Sequence, residues 1–137
     1  MRVKPDKVII DTNLWISYLI SKDYHWLDKL VFNKDIILVF SQDLIDEFLE
    51  VTQRPKFSKY FSNDDLERLL DIFDQYGVYF EVKSNIEICR DSKDNFLLSL
   101  AKDSKSDYLL TGDFDLIELK LFGKTRILAI TQFKNLR

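Results

Sequence analysis

The chain has 137 residues, 46% hydrophobic and 31% charged, with 3 Gly, 2 Pro, a single cysteine (Cys89) and a single histidine (His25). That length suits one domain, here residues 1–137, and the single cysteine and single histidine exclude a disulfide framework, a multi-cysteine zinc site and catalysis by a histidine pair. A formal net charge of −3 gives no overall attraction for nucleic acid, though a local acidic site can coexist with basic patches.

Short β-branched runs alternate with helical periodicity along the chain. Lys7-Val8-Ile9-Ile10 reads as a buried strand, followed by Asp11-Thr12-Asn13 and an apolar helix start at Leu14-Trp15-Ile16. Tyr24, Leu27, Leu30 and Val31 recur at helical spacing. Ile36–Phe40 is the second strand, and Ser41 is a natural N-cap for a helix carrying Leu44, Ile45, Phe48 and Leu49. Arg54-Pro55 ends that helix, because the residue before proline avoids the α region. A helix from Ser62-Asn63 has the stripe Leu66, Leu69, Leu70, Phe73 and Tyr76, with Gly77 suited to a left-handed C′ position. Residues 78–82 form the third strand, and Asp91-Ser92-Lys93-Asp94 opens a helix through Phe96, Leu97, Leu100 and Ala101. Tyr108-Leu109-Leu110-Thr111 is the fourth strand, closed by Gly112-Asp113, and the last strand spans 126–130.

Continuous apolar strands alternating with helices predict a three-layer α/β/α sandwich with a central, mostly parallel sheet of about five strands. Its apolar runs are too short to span a bilayer, and the opening residues carry no hydrophobic leader core, so the expected location is the cytoplasm.

Open parallel sheets bind ligands at the carboxyl ends of their strands. Asp11 follows the first strand, Asp113 follows the fourth, and Asp94 stands at a helix start, where it can face the same edge. Each also fits a plain structural role as a helix cap, a dipole partner or a turn residue. In the helix after Ser41, Asp46 and Glu47 both border the apolar stripe, and periodicity does not choose between them. Converging carboxylates repel one another unless a cation neutralises them, and an all-oxygen set suits Mg²⁺ or Mn²⁺. Such an ion supports phosphodiester hydrolysis by an activated water. Cys89, with no histidine near it in sequence, reads as a packed thiol, and no glycine-rich phosphate loop is present. His25 with Trp26, and Tyr60, are candidates for interface residues or for packing.

Together these segments resemble PIN-domain ribonucleases. The resemblance rests on Val8-Ile9-Ile10-Asp11-Thr12-Asn13-Leu14-Trp15-Ile16, on Ser41-Gln42-Asp43-Leu44-Ile45-Asp46-Glu47-Phe48 with Arg54-Pro55-Lys56-Phe57, on Asp91-Ser92-Lys93-Asp94-Asn95-Phe96-Leu97, and on Asp107-Tyr108-Leu109-Leu110-Thr111-Gly112-Asp113-Phe114-Asp115-Leu116. The ending, Ile127-Leu128-Ala129-Ile130-Thr131-Gln132-Phe133, is similar to the branch of toxin components of toxin–antitoxin systems.

The resemblance implies an acidic quartet, Asp11, Glu47, Asp94 and Asp113, around Mg²⁺ or Mn²⁺, and so selects Glu47 over Asp46. It leaves Asp91 and Asp115 as acidic neighbours, and Thr12 or Asn13 as groups that orient Asp11. The implied activity is metal-dependent endoribonucleolytic hydrolysis, with RNA as substrate and a cognate antitoxin and a second copy of the chain as partners. RNA must cross an acidic rim, so Arg54, Lys56, Lys59, Arg90 and Lys93 are candidate phosphate contacts. The rival readings are a non-catalytic PIN-like module that binds RNA or protein, and a flap-type DNA nuclease. This short chain leaves no room for the helical arch of the latter.

Overall fold

The computed structural model describes residues 4–21 and 25–136, with His25 described by its backbone alone. Tyr24, the side chain of His25 and the first three residues therefore lie outside the described residues.

The elements run β1 (Asp6–Ile10), α1 (Thr12–Ser21), α2 (His25–Phe32), β2 (Ile36–Phe40), α3 (Gln42–Thr52), α4 (Pro55–Ser58), α5 (Asn63–Tyr76), β3 (Gly77–Tyr79), α6 (Ser92–Ser104), β4 (Tyr108–Leu110), α7 (Phe114–Ile117), β5 (Leu121–Phe122), β6 (Thr125–Leu128) and α8 (Ile130–Leu136). The strands form one six-stranded sheet in the order β3-β2-β1-β4-β6-β5. Every pairing is parallel except β5 with β6. Side chains of successive strand residues point to opposite faces, yet Val8, Ile9 and Ile10 are all buried, as are Leu38, Val39 and Phe40. Helices must therefore cover both faces, which gives the three layers. Aromatic packing anchors one of them: the Phe73 ring of α5 lies tilted against Trp15 and Phe40, with centroids 4.8 Å and 4.7 Å away.

Local chemistry sets the element ends. Ser41 caps α3 by accepting a hydrogen bond from Leu44 N–H at 3.3 Å. Ser62 and Asp65 form a reciprocal capping box at α5. Asp91 caps α6 through Lys93 N–H at 3.0 Å.

The structure departs from the sequence reading in several places. β3 is shorter than residues 78–82: after Phe80 the Asp103 carboxylate accepts the backbone N–H groups of Lys83 at 2.6 Å and Ser84 at 2.9 Å, which draws the chain off the ladder. Gly77 is extended, at φ −122°, and not left-handed. Its role is close approach, since a Cβ there would lie 2.5 Å from the Phe73 carbonyl oxygen and 2.8 Å from the Phe40 ring. The sixth strand, β5, turns back on β6 through Gly123 at φ +59°. β6 stops at Leu128, and Ile130 begins α8 instead of ending a strand. Trp26 is half-buried against Phe133, whereas Tyr60 is exposed.

Candidate metal centre

Strand order reverses between β1 and β4, so their carboxyl ends flank the sheet's switch point, where α/β sheets place their ligands. The parallel register pairs Ile10 with Leu110. Asp11 and Thr111 are thereby set side by side, with Asp11 N–H bonded to the Leu110 carbonyl at 3.0 Å. Thr111 is buried and joins the two strand ends: its Oγ1 donates to Asp11 Oδ2 at 2.8 Å and accepts from Asp113 N–H at 3.0 Å. Asp113 in turn accepts from Asp115 N–H at 2.8 Å and caps α7.

Asp11, Glu47, Asp94 and Asp113 line one cavity of about 400 Å³. Glu47 reaches it from α3 with its side chain 13% exposed. Asp46 stays on the outer face, where its carboxylate accepts from Gln42 at 2.8 Å. Asp94, in the first turn of α6, is 4% exposed, and its Oδ2 is buried without a hydrogen-bond partner. Among the described residues, one group of carboxylates has oxygens within 4.8 Å of one another: Asp94, Asp113 and Asp115; Asp11 and Glu47 line the same cavity but lie outside that group. Asp91, exposed, lines the cavity as well as capping α6.

Charge crowding shows in the acidities. Burial pushes the Asp94 carboxyl up to about 7, helped by the Asp113 carboxyl beside it and by the charges of Asp91 and Asp11. Burial also raises Asp11, against the Thr111 hydrogen bond, and Glu47 and Asp113 add to the rise. Burial and the Asp94, Asp115, Asp113 and Asp91 carboxylates push the Cys89 thiol up, which disfavours a thiolate nucleophile.

Of the two groups expected to orient Asp11, one contacts it. Thr12 Oγ1 is buried without a partner, while the Asn13 backbone N–H supports Asp11. Thr111 is the principal holder. Its one signal in the sequence is its place between an apolar strand and Gly112-Asp113. Of the basic candidates, Arg54 and Lys93 line the cavity, but Arg54 is tied to Glu50 at 2.9 Å. Arg90 pairs with Asp115 at 3.4 Å. Lys56 and Lys59 lie over their own neighbours' rings, Phe57 and Tyr60, and are not among the cavity's walls.

The family model described as PIN domain matches residues 7–115, a span that contains every carboxylate named above. The chain belongs to the PIN domain family. An uncharacterised protein of Methanocaldococcus jannaschii is 35% identical over 118 residues, covering 83% of this chain and 75% of that protein. Among solved structures, the PIN domain here is similar to a chain of VapBC2 from Rickettsia felis, a complex bound to a DNA fragment from its promoter. That match has a TM-score of 0.57 and 16% identity, covering 88% of this chain and 96% of that one. PAE2754 from Pyrobaculum aerophilum matches with a TM-score of 0.56 and 18% identity, covering 96% of this chain and 89% of that one. These likenesses give the PIN fold. Among the described residues, no helix is long and apolar enough to cross a membrane.

A divalent cation fits the centre on chemical grounds. The donors are all hard carboxylate oxygens, and the buried Asp94 Oδ2 has no hydrogen-bond partner among the described residues, so it is an acceptor that a cation would satisfy.

Proposed function

We propose that this PIN domain is a metal-dependent endoribonuclease, acting in the cytoplasm as the toxin of a toxin–antitoxin pair, and that residues 1–137 form a single domain. The observation that carries the reading is the convergence of Asp11, Glu47, Asp94 and Asp113 on one cavity at the sheet's switch point, with Asp94 Oδ2 buried and unpartnered. Asp11, Glu47 and Asp94 would hold Mg²⁺ or Mn²⁺, and Asp113 completes the set. A hard divalent ion in such a set lowers the pKa of a coordinated water and neutralises charge developing on a phosphate.

The protein's own groups do the rest. Thr111 fixes Asp11 and the Asp113 backbone with one hydroxyl, so two carboxylates from different strands keep their spacing. Crowding raises the Asp94 carboxyl to about 7, so near neutrality it is partly protonated, and a bound cation would favour its ionised form. Arg90 steadies Asp115 at the edge of the site. No covalent nucleophile is involved.

The Rickettsia felis likeness supports the toxin reading, which brings a cognate antitoxin and a second copy of the chain as partners. The test is cleavage of a single-stranded oligoribonucleotide by purified protein with Mn²⁺, with Mg²⁺ and with EDTA, alongside a DNA flap of the same sequence. Metal-dependent internal cuts in RNA are expected. Binding of RNA without cleavage would return the protein to a binding module, and cleavage of the flap alone would make it a DNA nuclease.

A further inference from the structure

Lys93 stands at the second position of α6, in the helix's first turn, where the macrodipole favours anions and disfavours an ammonium. Nothing about helix formation asks for a cation there. Its Nζ lies 3.8 Å from Glu47 Oε2, across the cavity mouth from α6 to α3. That distance is too long for a hydrogen bond, and the Lys93 side chain is 50% exposed while the Glu47 side chain is 13% exposed. Of the two basic residues in the cavity wall, Arg54 has its guanidinium committed to Glu50 through both Nε and Nη2. Among the described residues, the Lys93 ammonium is held by this loose contact, to a carboxylate that a metal would claim.

Resting on the nuclease reading above, we propose that Lys93 is a tethered cation with two positions: it neutralises Glu47 in the metal-free protein, and once a divalent ion takes Glu47 it turns to a phosphate oxygen of single-stranded RNA at the cavity mouth. The flexible four-carbon stem permits both positions without backbone movement. The exchange keeps a positive charge beside the carboxylates at every stage, and it leaves the ammonium paired with the substrate only when the metal is in place. Lys93 is therefore a substrate-binding residue that also competes weakly with metal.

Two opposite effects of one substitution test this. Exposed pairs of this kind are worth a small fraction of a metal's affinity, so Lys93→Met, which keeps the apolar stem, should bind Mn²⁺ about two- to fivefold more tightly by calorimetry. The same variant should raise the KM for a single-stranded oligoribonucleotide by more than it lowers kcat. It should also reduce the slope of log affinity against log salt by about 0.7, the loss of one phosphate contact. Lys93→Arg should restore both the KM and the salt slope.

Unchanged or weaker Mn²⁺ affinity in Lys93→Met, or an unchanged KM with the wild-type salt slope, would overturn the proposal while the wild type still binds metal and cleaves. A wild type that takes up no Mn²⁺ and leaves RNA intact would overturn the nuclease reading itself, and this proposal with it.

Discussion

Asp94 carries the sharpest conflict between function and stability. Its carboxyl titrates near 3.8 in the unfolded chain and at about 7 in the folded one. Between those values the folded state binds more protons, so metal-free stability falls as pH rises from about 4 to 7 and is flat for this group above that. Melting curves in EDTA should therefore drop more between pH 5 and pH 8 for the wild type than for Asp94→Asn; parallel curves would show that the residue does not titrate in this range. Partners one step removed from a metal ligand are commonly worth ~10–100-fold in activity. Asp11→Asn and Asp94→Asn should each cost more than that while the domain stays folded, and near-normal turnover in either would remove that residue from the centre. Glu47→Gln should be comparably severe, whereas Asp46→Asn, on the outer face, should change the rate by no more than about twofold. Thr111→Val, which deletes the hydroxyl bridging Asp11 and Asp113, should cost ~10–100-fold by the same reasoning. Full activity there would mean the bridge is structural only.

These residues were unequally readable. Asp11 and Asp113 follow apolar runs, and Asp94 opens a helix, so their placement at one edge follows from the strand–helix alternation. Glu47 and Asp46 are adjacent on the border of one stripe, and helical periodicity has too coarse an angular resolution to separate them. Only the resemblance chose; in the structure Glu47 lines the cavity and Asp46 is exposed beside Gln42. Thr111 carried no chemical flag because a threonine ending a strand is ordinary.

At the scale of elements, the long apolar runs declared themselves and the short pairings did not. β1, β2 and β4 are buried along most of their length, and their parallel pairing follows from helices covering both faces. β5 has two residues, and nothing in Leu121-Phe122 separates it from a loop until Gly123 turns it onto β6. The C-terminal part of the expected third strand was lost to a long-range capture by Asp103, invisible to any local pattern. Gly77 shows the same limit, since its position was legible as a helix end but its reason was not. It is a close-packing glycine between Phe73 and Phe40. Gly77→Ala should destabilise by about 1–3 kcal/mol through overpacking, read as a lower urea midpoint at constant slope. A midpoint equal to the wild type's would show that the Phe40 ring yields freely.

At the scale of the whole molecule, the proposed site is one cation centre built from the carboxylate that follows β1 and those of α3, α6 and the loop after β4, and the metal-free protein would carry their repulsion. Removing one charge should leave metal-free stability unchanged or raised, although activity is lost. Cation binding should then act on the folded state by mass action. The most direct measurement is a set of thermal melts of wild type, Asp11→Asn and Asp94→Asn, each in EDTA and in excess Mn²⁺. At a free ion concentration a hundredfold above Kd the wild type should gain about 2.7 kcal/mol, a melting shift on the order of several degrees for a domain of this size. Both variants should gain much less. Equal shifts in all three proteins would mean that the ion only screens charge and that these carboxylates do not form one site.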